Sequence, residues 1–150
     1  MKKKVFLILL CVPILFLCFG CSGLETNETQ TPFVKFGPNG LNLSYGFVPT
    51  ESGSEIVTTA TNASQYEVST LCVTYGFNNT SDTAEERAIL VNAGETVELS
   101  RASQSYTNSL DDKILHTKKV EYVAKKGKKI QYITYFPETG EYEIVNSSNN

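Results

Sequence analysis

The chain has no tryptophan, one histidine (His116) and one methionine, the first residue. A single histidine leaves one candidate base for a Ser-His-Asp arrangement, and no nucleophile-elbow motif marks a serine to accompany it. No Asp-x-Asp-x-Asp-Gly run offers calcium a set of spaced oxygens, and no glycine-rich loop is built for phosphate. Of the four cysteines, Cys11, Cys18 and Cys21 fall in the first 21 residues, leaving Cys72 alone. One thiol makes neither an internal disulfide nor a zinc site. Cys72 stands in an apolar run and reads as an inert core residue. The acidic pairs Glu85-Glu86 and Asp111-Asp112 do not make carboxylate dyads, because neighbours in an extended chain point opposite ways. They read as solvated loop residues. No catalytic residue, metal or cofactor is expected, and an enzyme is the weakest of the functional readings.

What is present is concentrated at the start. Lys2, Lys3 and Lys4 precede an apolar run over residues 5–19, broken only by Pro13 and two cysteines. The run is shorter than the ~20 apolar residues of a spanning helix. It ends at Leu17-Cys18-Phe19-Gly20-Cys21, and a polar stretch from Glu25 to Thr31 follows. A basic segment, an apolar segment and a small residue before a cut form the pattern of an export signal.

These residues resemble the lipobox signal peptide of bacterial lipoproteins. The resemblance implies cleavage after Gly20 and a lipid, palmitate included, on Cys21. It places the rest of the chain on the extracytoplasmic face of the cell membrane. An uncleaved anchor helix is the alternative, and it leaves the remainder on the same side. The expected organisation is a signal peptide over 1–20, a flexible tether over 21–32, one β domain over 33–146 and a polar tail over 147–150.

Charge divides the chain after the leader. Removing Lys2, Lys3 and Lys4 takes the net charge from −3 to −6. From residue 21 to 112 there are three basic side chains (Lys35, Arg87, Arg101) against twelve acidic ones. From 113 onward seven lysines face four glutamates. An acidic body with a basic end does not suit nucleic acid. A basic face turned to anionic lipid or wall polymer is one reading, and a solvated surface is the other.

Strand patterns fill the mature part. Leu41, Leu43 and Tyr45 alternate with polar residues after the turn Pro38-Asn39-Gly40. Strands are expected over 55–61 and 65–77, the second placing Leu71, Val73, Tyr75 and Phe77 on one face. A polar loop over 78–86, a short strand over 88–91 and a strand over 96–101 follow. A Ser/Asn/Asp-rich connection over 102–114 leads to three last strands, over 116–124, 129–136 and 141–145. Lys125-Lys126-Gly127-Lys128 and Pro137-Glu138-Thr139-Gly140 supply the turns of that meander. The cadence is that of an antiparallel sandwich.

Within it, the turn Asn62-Ala63-Ser64, the late strand residue Tyr75 and Leu90 before Ala93-Gly94-Glu95-Thr96 resemble the FxLYD-like immunoglobulin-like domains of bacterial lipoproteins. The resemblance covers about 45 residues and implies an Ig-like antiparallel β-sandwich, here with a C-terminal three-stranded meander. Tyr122, Tyr132 and Tyr135 in that meander lie close in sequence to Lys125, Lys126, Lys128 and Lys129. A surface of rings and cations suits carbohydrate, peptide or lipid headgroups, whereas tyrosine is also an ordinary strand residue. The expected function is non-catalytic binding or scaffolding at the cell envelope, with an envelope protein or polymer as partner. An inhibitor or exclusion lipoprotein, blocking an envelope enzyme or phage component, is the alternative.

Overall fold

A computed structural model describes residues 30–51, 53–78, 81–105 and 115–148; Cys21 and the leader lie outside the described residues. Among the described residues nine strands run β1 (Leu41–Thr50), β2 (Gly53–Asn62), β3 (Glu67–Phe77), β4 (Thr83–Val91), β5 (Thr96–Glu98), β6 (Ser100–Ser105), β7 (Leu115–Lys126), β8 (Lys129–Phe136) and β9 (Glu141–Ser148). They form two sheets, β1-β2-β5 and β6-β4-β3-β7-β8-β9, with every strand pair antiparallel. The fold is therefore all-β. The expected C-terminal meander is β7-β8-β9.

One core lies between the sheets. Leu41, Ile56 and Ala60 come from the smaller sheet. Leu71, Val73, Tyr75 and Phe77 come from β3, and Val120, Tyr122 and Ala124 from β7. The alternation expected for β3 and β7 holds over these residues. Val68 is buried too, three positions before Leu71, and strict alternation cannot place both inside. A bulge resolves the conflict. The β3–β7 register shifts between Ser69 and Cys72, and Thr70 takes φ 52° there. One extra residue restores the phase of the inner face.

Several expected boundaries move. β4 starts at Thr83, so Glu85 and Glu86 lie in a strand and not in a loop. The segment Thr83-Ala84-Glu85-Glu86-Arg87 has no apolar period. Its main chain is nonetheless paired on both sides, with β3 and with β6, and ladder bonds require no particular side chain. The single strand expected over 96–101 is two strands in different sheets. Leu99 is the crossing point, with its N–H on the Thr58 carbonyl at 2.8 Å. β6 continues to Ser105, and β9 takes in Ser147 and Ser148 of the expected tail.

Residues 31–36 form no strand, so their main-chain groups need other partners. Side chains of the meander supply them. Gln131 Oε1 accepts from Phe33 N at 2.7 Å, and its Nε2 donates to the Thr31 carbonyl at 3.3 Å. Tyr122 donates to the Val34 carbonyl at 2.6 Å, and Phe36 N donates to Tyr142 Oη at 2.8 Å. The compact unit thus begins at Thr31, inside the stretch read as tether. The segment then turns tightly at Gly40, where any Cβ would collide with the Lys35 carbonyl.

Asn62 ties the two sheets at the end of β2. Its side chain is fully buried. Nδ2 donates to the carbonyls of Tyr66 and Val91 at 2.8 and 2.9 Å. Oδ1 accepts from Ser64 N and Ser64 Oγ at 3.1 and 2.6 Å. Asn62→Asp keeps the shape but removes both donors and buries a charge. An unsatisfied buried group costs about 1–3 kcal/mol. The variant is expected to lose about 3 kcal/mol of stability, read as a lower urea midpoint with unchanged slope.

Candidate functional site

The residues singled out as a binding surface separate in the fold. Tyr122 lies in the core, and burial pushes its hydroxyl pKa upward, so it remains a donor to Val34. Tyr135 is partly buried, stacked on Phe36 at 4.7 Å and tilted against Tyr142 at 4.7 Å. Tyr122 is thus an inner-face residue and not part of the expected surface. It stands one residue from Val123 and belongs to the opposite face, a choice alternation alone leaves open. Tyr132 is exposed on the outer face.

The lysines also divide. Lys125 is held by Glu67 at 2.8 Å. Lys126 turns back over the rings of Tyr66 and Phe33, 5.5 and 5.7 Å from their centres. Such ring contacts are worth roughly 0.5–1 kcal/mol at exposed sites. Lys128 and Lys129 stand exposed at the β7–β8 turn, where Gly127 takes φ 61° in a two-residue loop. The cationic tip is therefore narrower than the four consecutive-looking lysines imply.

Cys72 is half-buried and unpaired, and it faces outward. Leu71 and Val73 fill the core, so the residue between them must point the other way. It is not the core residue its apolar neighbours implied. Across the ladders it meets Arg87 on β4 and Glu121 on β7. The Cys72 sulfur, and then Glu85, raise the Arg87 guanidinium above its ordinary value.

This outward side of the six-stranded sheet is the candidate site. The registers align Val145, Tyr132, Val123, Ser69 and Leu90 in one row across β9, β8, β7, β3 and β4. Four strand spacings make the row about 19 Å long. Val145 is 65 % exposed, Tyr132 51 %, and Ile89 beside the row 90 %. Ion pairs flank it, Arg87 with Glu85 at 3.2 Å and Lys119 with Glu121 at 2.9 Å. A shallow basin of about 460 Å³ lies over the row, with Thr70, Cys72, Arg87 and Glu143 among its walls. Sequence reasoning found Tyr132 but missed the row. Its signal was an apolar residue on the outward phase of successive strands, visible only once their registers are known.

A second cluster lies inside. Glu86, read as a solvated loop residue, is only 3 % exposed and faces the smaller sheet. Thr58 hydrogen-bonds its carboxyl, and Thr58 Oγ1 lies 2.6 Å from Tyr75 Oη. Glu86 Oε2 has no partner. Burial raises the Glu86 pKa above the ordinary 4.5, with Glu98 adding to the rise and Arg101 opposing it. His116 lies apart, with Nε2 at 3.7 Å from Glu138 and Nδ1 buried without a partner. Among the described residues no three His, Cys, Asp or Glu side chains gather to hold a metal. The outer basin, lined by apolar side chains and by charges held in ion pairs, can bind by contact.

Comparison with protein-family models, curated proteins and solved structures returned no match.

Two substitutions probe these clusters. Thr70 is β-branched in the left-handed region, a strain of about 1–2 kcal/mol. Thr70→Gly removes it against a glycine entropy cost of about 0.5–1 kcal/mol. A net gain of about 0.5 kcal/mol is expected in chemical unfolding, with Thr70→Val giving none. For Glu86 the folded carboxyl holds its proton above pH 4.5, where the unfolded chain has begun to release it. The native protein therefore loses stability as pH rises from that value through the folded pKa. Glu86→Gln does not titrate. It is expected to be more stable than the native protein at neutral pH by on the order of 1 kcal/mol. The gap should close as pH falls below the ordinary carboxyl value, which thermal melts at several pH values will show.

Proposed function

We propose that the chain is a bacterial lipoprotein anchored through a lipid on Cys21, whose Ig-like β-sandwich acts as a non-catalytic binding or scaffolding module at the cell envelope. Its working surface is the open side of the six-stranded sheet. One observation carries this reading, the in-register apolar row ending in Tyr132 and Val145. Apolar side chains aligned on an uncovered sheet are a contact surface. Enzyme sites enclose most of a small substrate, whereas this basin is shallow and open. Lys128 and Lys129 lie at one end of the same sheet, where anionic lipid or wall polymer would add a salt-sensitive attraction.

The inhibitor reading draws on a different element. Residues 44–50 of β1 are all exposed, and Tyr45, Phe47 and Val48 stand out among them. β5 supports the β1–β2 hairpin only at Thr59, Ala60 and Thr61. An exposed apolar hairpin of this kind suits insertion into a partner's groove.

Two variants in the producing cell test the main reading. Cys21→Ser should abolish lipid labelling and release the protein from the membrane or hold it as precursor. Tyr132→Ser should leave labelling and folding intact while removing cross-links to envelope partners. Persistent labelling of the Cys21→Ser protein overturns the anchor. Unchanged cross-links in Tyr132→Ser, with their loss in Phe47→Ser, move the function to the hairpin.

A further inference from the structure

Charge on the open sheet face is not balanced, and the excess lies at an edge. Arg87 and Lys119 are taken up by Glu85 and Glu121. Glu141 and Glu143 are exposed and, among the described residues, have no cationic partner. Both lie on β9, the last strand of its sheet, which is bonded only to β8. An edge strand presents unpaired main-chain N–H and C=O groups to any strand that can approach. Alternation puts Glu141, Glu143 and Val145 on the same outward side. Val145 also ends the apolar row, so a strand added there would extend the row by one position.

The geometry points to β9 as the docking edge for one extended, basic, amphipathic segment of a partner protein, added antiparallel to it. Lys or Arg stands opposite Glu141 and Glu143, and an aliphatic or aromatic residue opposite Val145. Read along the partner, the outward pattern is apolar-x-basic-x-basic. Main-chain bonds supply the attachment, and the alternate side chains supply the choice. Opposite charges across a ladder attract and like charges repel. A second copy of this chain is disfavoured in the registers that set its own Glu141 or Glu143 against these carboxylates. The inference rests on this sheet face being the binding surface and supplies the chemistry of what binds there.

The test uses the full-length protein in detergent micelles and two labelled peptides, Thr-Val-Thr-Lys-Thr-Lys-Thr and the same peptide with Glu for Lys. The Lys peptide should bind about tenfold more tightly, since two cross-strand pairs change from attraction to repulsion. It should slow amide exchange along β9. Glu143→Lys, checked for folding by circular dichroism, should narrow or invert the preference. Equal binding of both peptides, an unchanged preference in Glu143→Lys, or protection away from β9 overturns the assignment. So does dimerisation through β9, which would make a second copy the occupant. If neither peptide binds while Tyr132→Ser still strips the protein of its cross-links, the partner class is wrong and the binding face stands. If both fail, the binding face falls with it.

Discussion

The architecture depends on one buried carboxamide. Asn62 has two N–H donors and two acceptor lone pairs, and all four are used. Its main chain is also bonded on both sides, with Asn62 N on the Glu95 carbonyl and Gly94 N on the Asn62 carbonyl. Asn62 is the last residue of β2, whereas Tyr66 and Val91 lead into and end strands of the other sheet. The side chain therefore sets how the two sheets meet at this end. Ala60, Thr58 and Ile56 follow at two-residue steps along the inner face of β2, and their burial depends on that starting point. Apolar contact alone is non-directional and would tolerate a slip. A saturated amide does not, because a slip leaves its partners buried and unpaired.

The same economy of polar groups recurs at the other end of the core. Apart from a bridge between Phe36 and Leu41, residues 31–36 lie along no strand, and Tyr122, Gln131 and Tyr142 reach from the meander to bond their main chain. These side chains therefore face inward although two of them are the amphipathic residues most often seen at surfaces. Glu86 is one of three exceptions among the described residues, with Thr74 and His116. Thr58, itself bonded to Tyr75, answers one part of its carboxyl, and Oε2 goes unanswered. A proton on Glu86 relieves part of that cost, so what this one group takes from stability is smallest in acid.

Much of this was legible from sequence, and the failures share a cause. Alternation located β3, β7 and β8, and the turn residues placed Asn62 and Gly127 correctly. Alternation reports which residues share a face, not which face is inside. Tyr122 was misplaced by that ambiguity, and Cys72 by the apolar run around it. β4 was cut short because Thr83 to Arg87 carries charge where apolar residues are expected, yet both its edges are paired. Thr70 gave no warning, since a β-branched residue is the least expected occupant of positive φ. The outer row was invisible for a further reason. Val145, Tyr132, Val123 and Leu90 lie far apart in sequence, and only strand registers bring them into line.

The distribution of cost across the central sheet separates its two faces. On the inner face apolar groups are covered, and the polar ones are answered with few exceptions. On the outer face Ile89, Tyr132 and Val145 remain largely in water, and burial of these side chains adds little to folding. Threonine would serve the strand as well at each position. Thr70 holds its strained backbone on this face too, where it lines the basin. Strain and exposed apolar surface both lower stability or solubility, and neither is required to close the core. Their presence on this face, beside paired charges that discourage indiscriminate sheet contacts, supports the proposed reading in which one face holds the fold together and the other meets a partner.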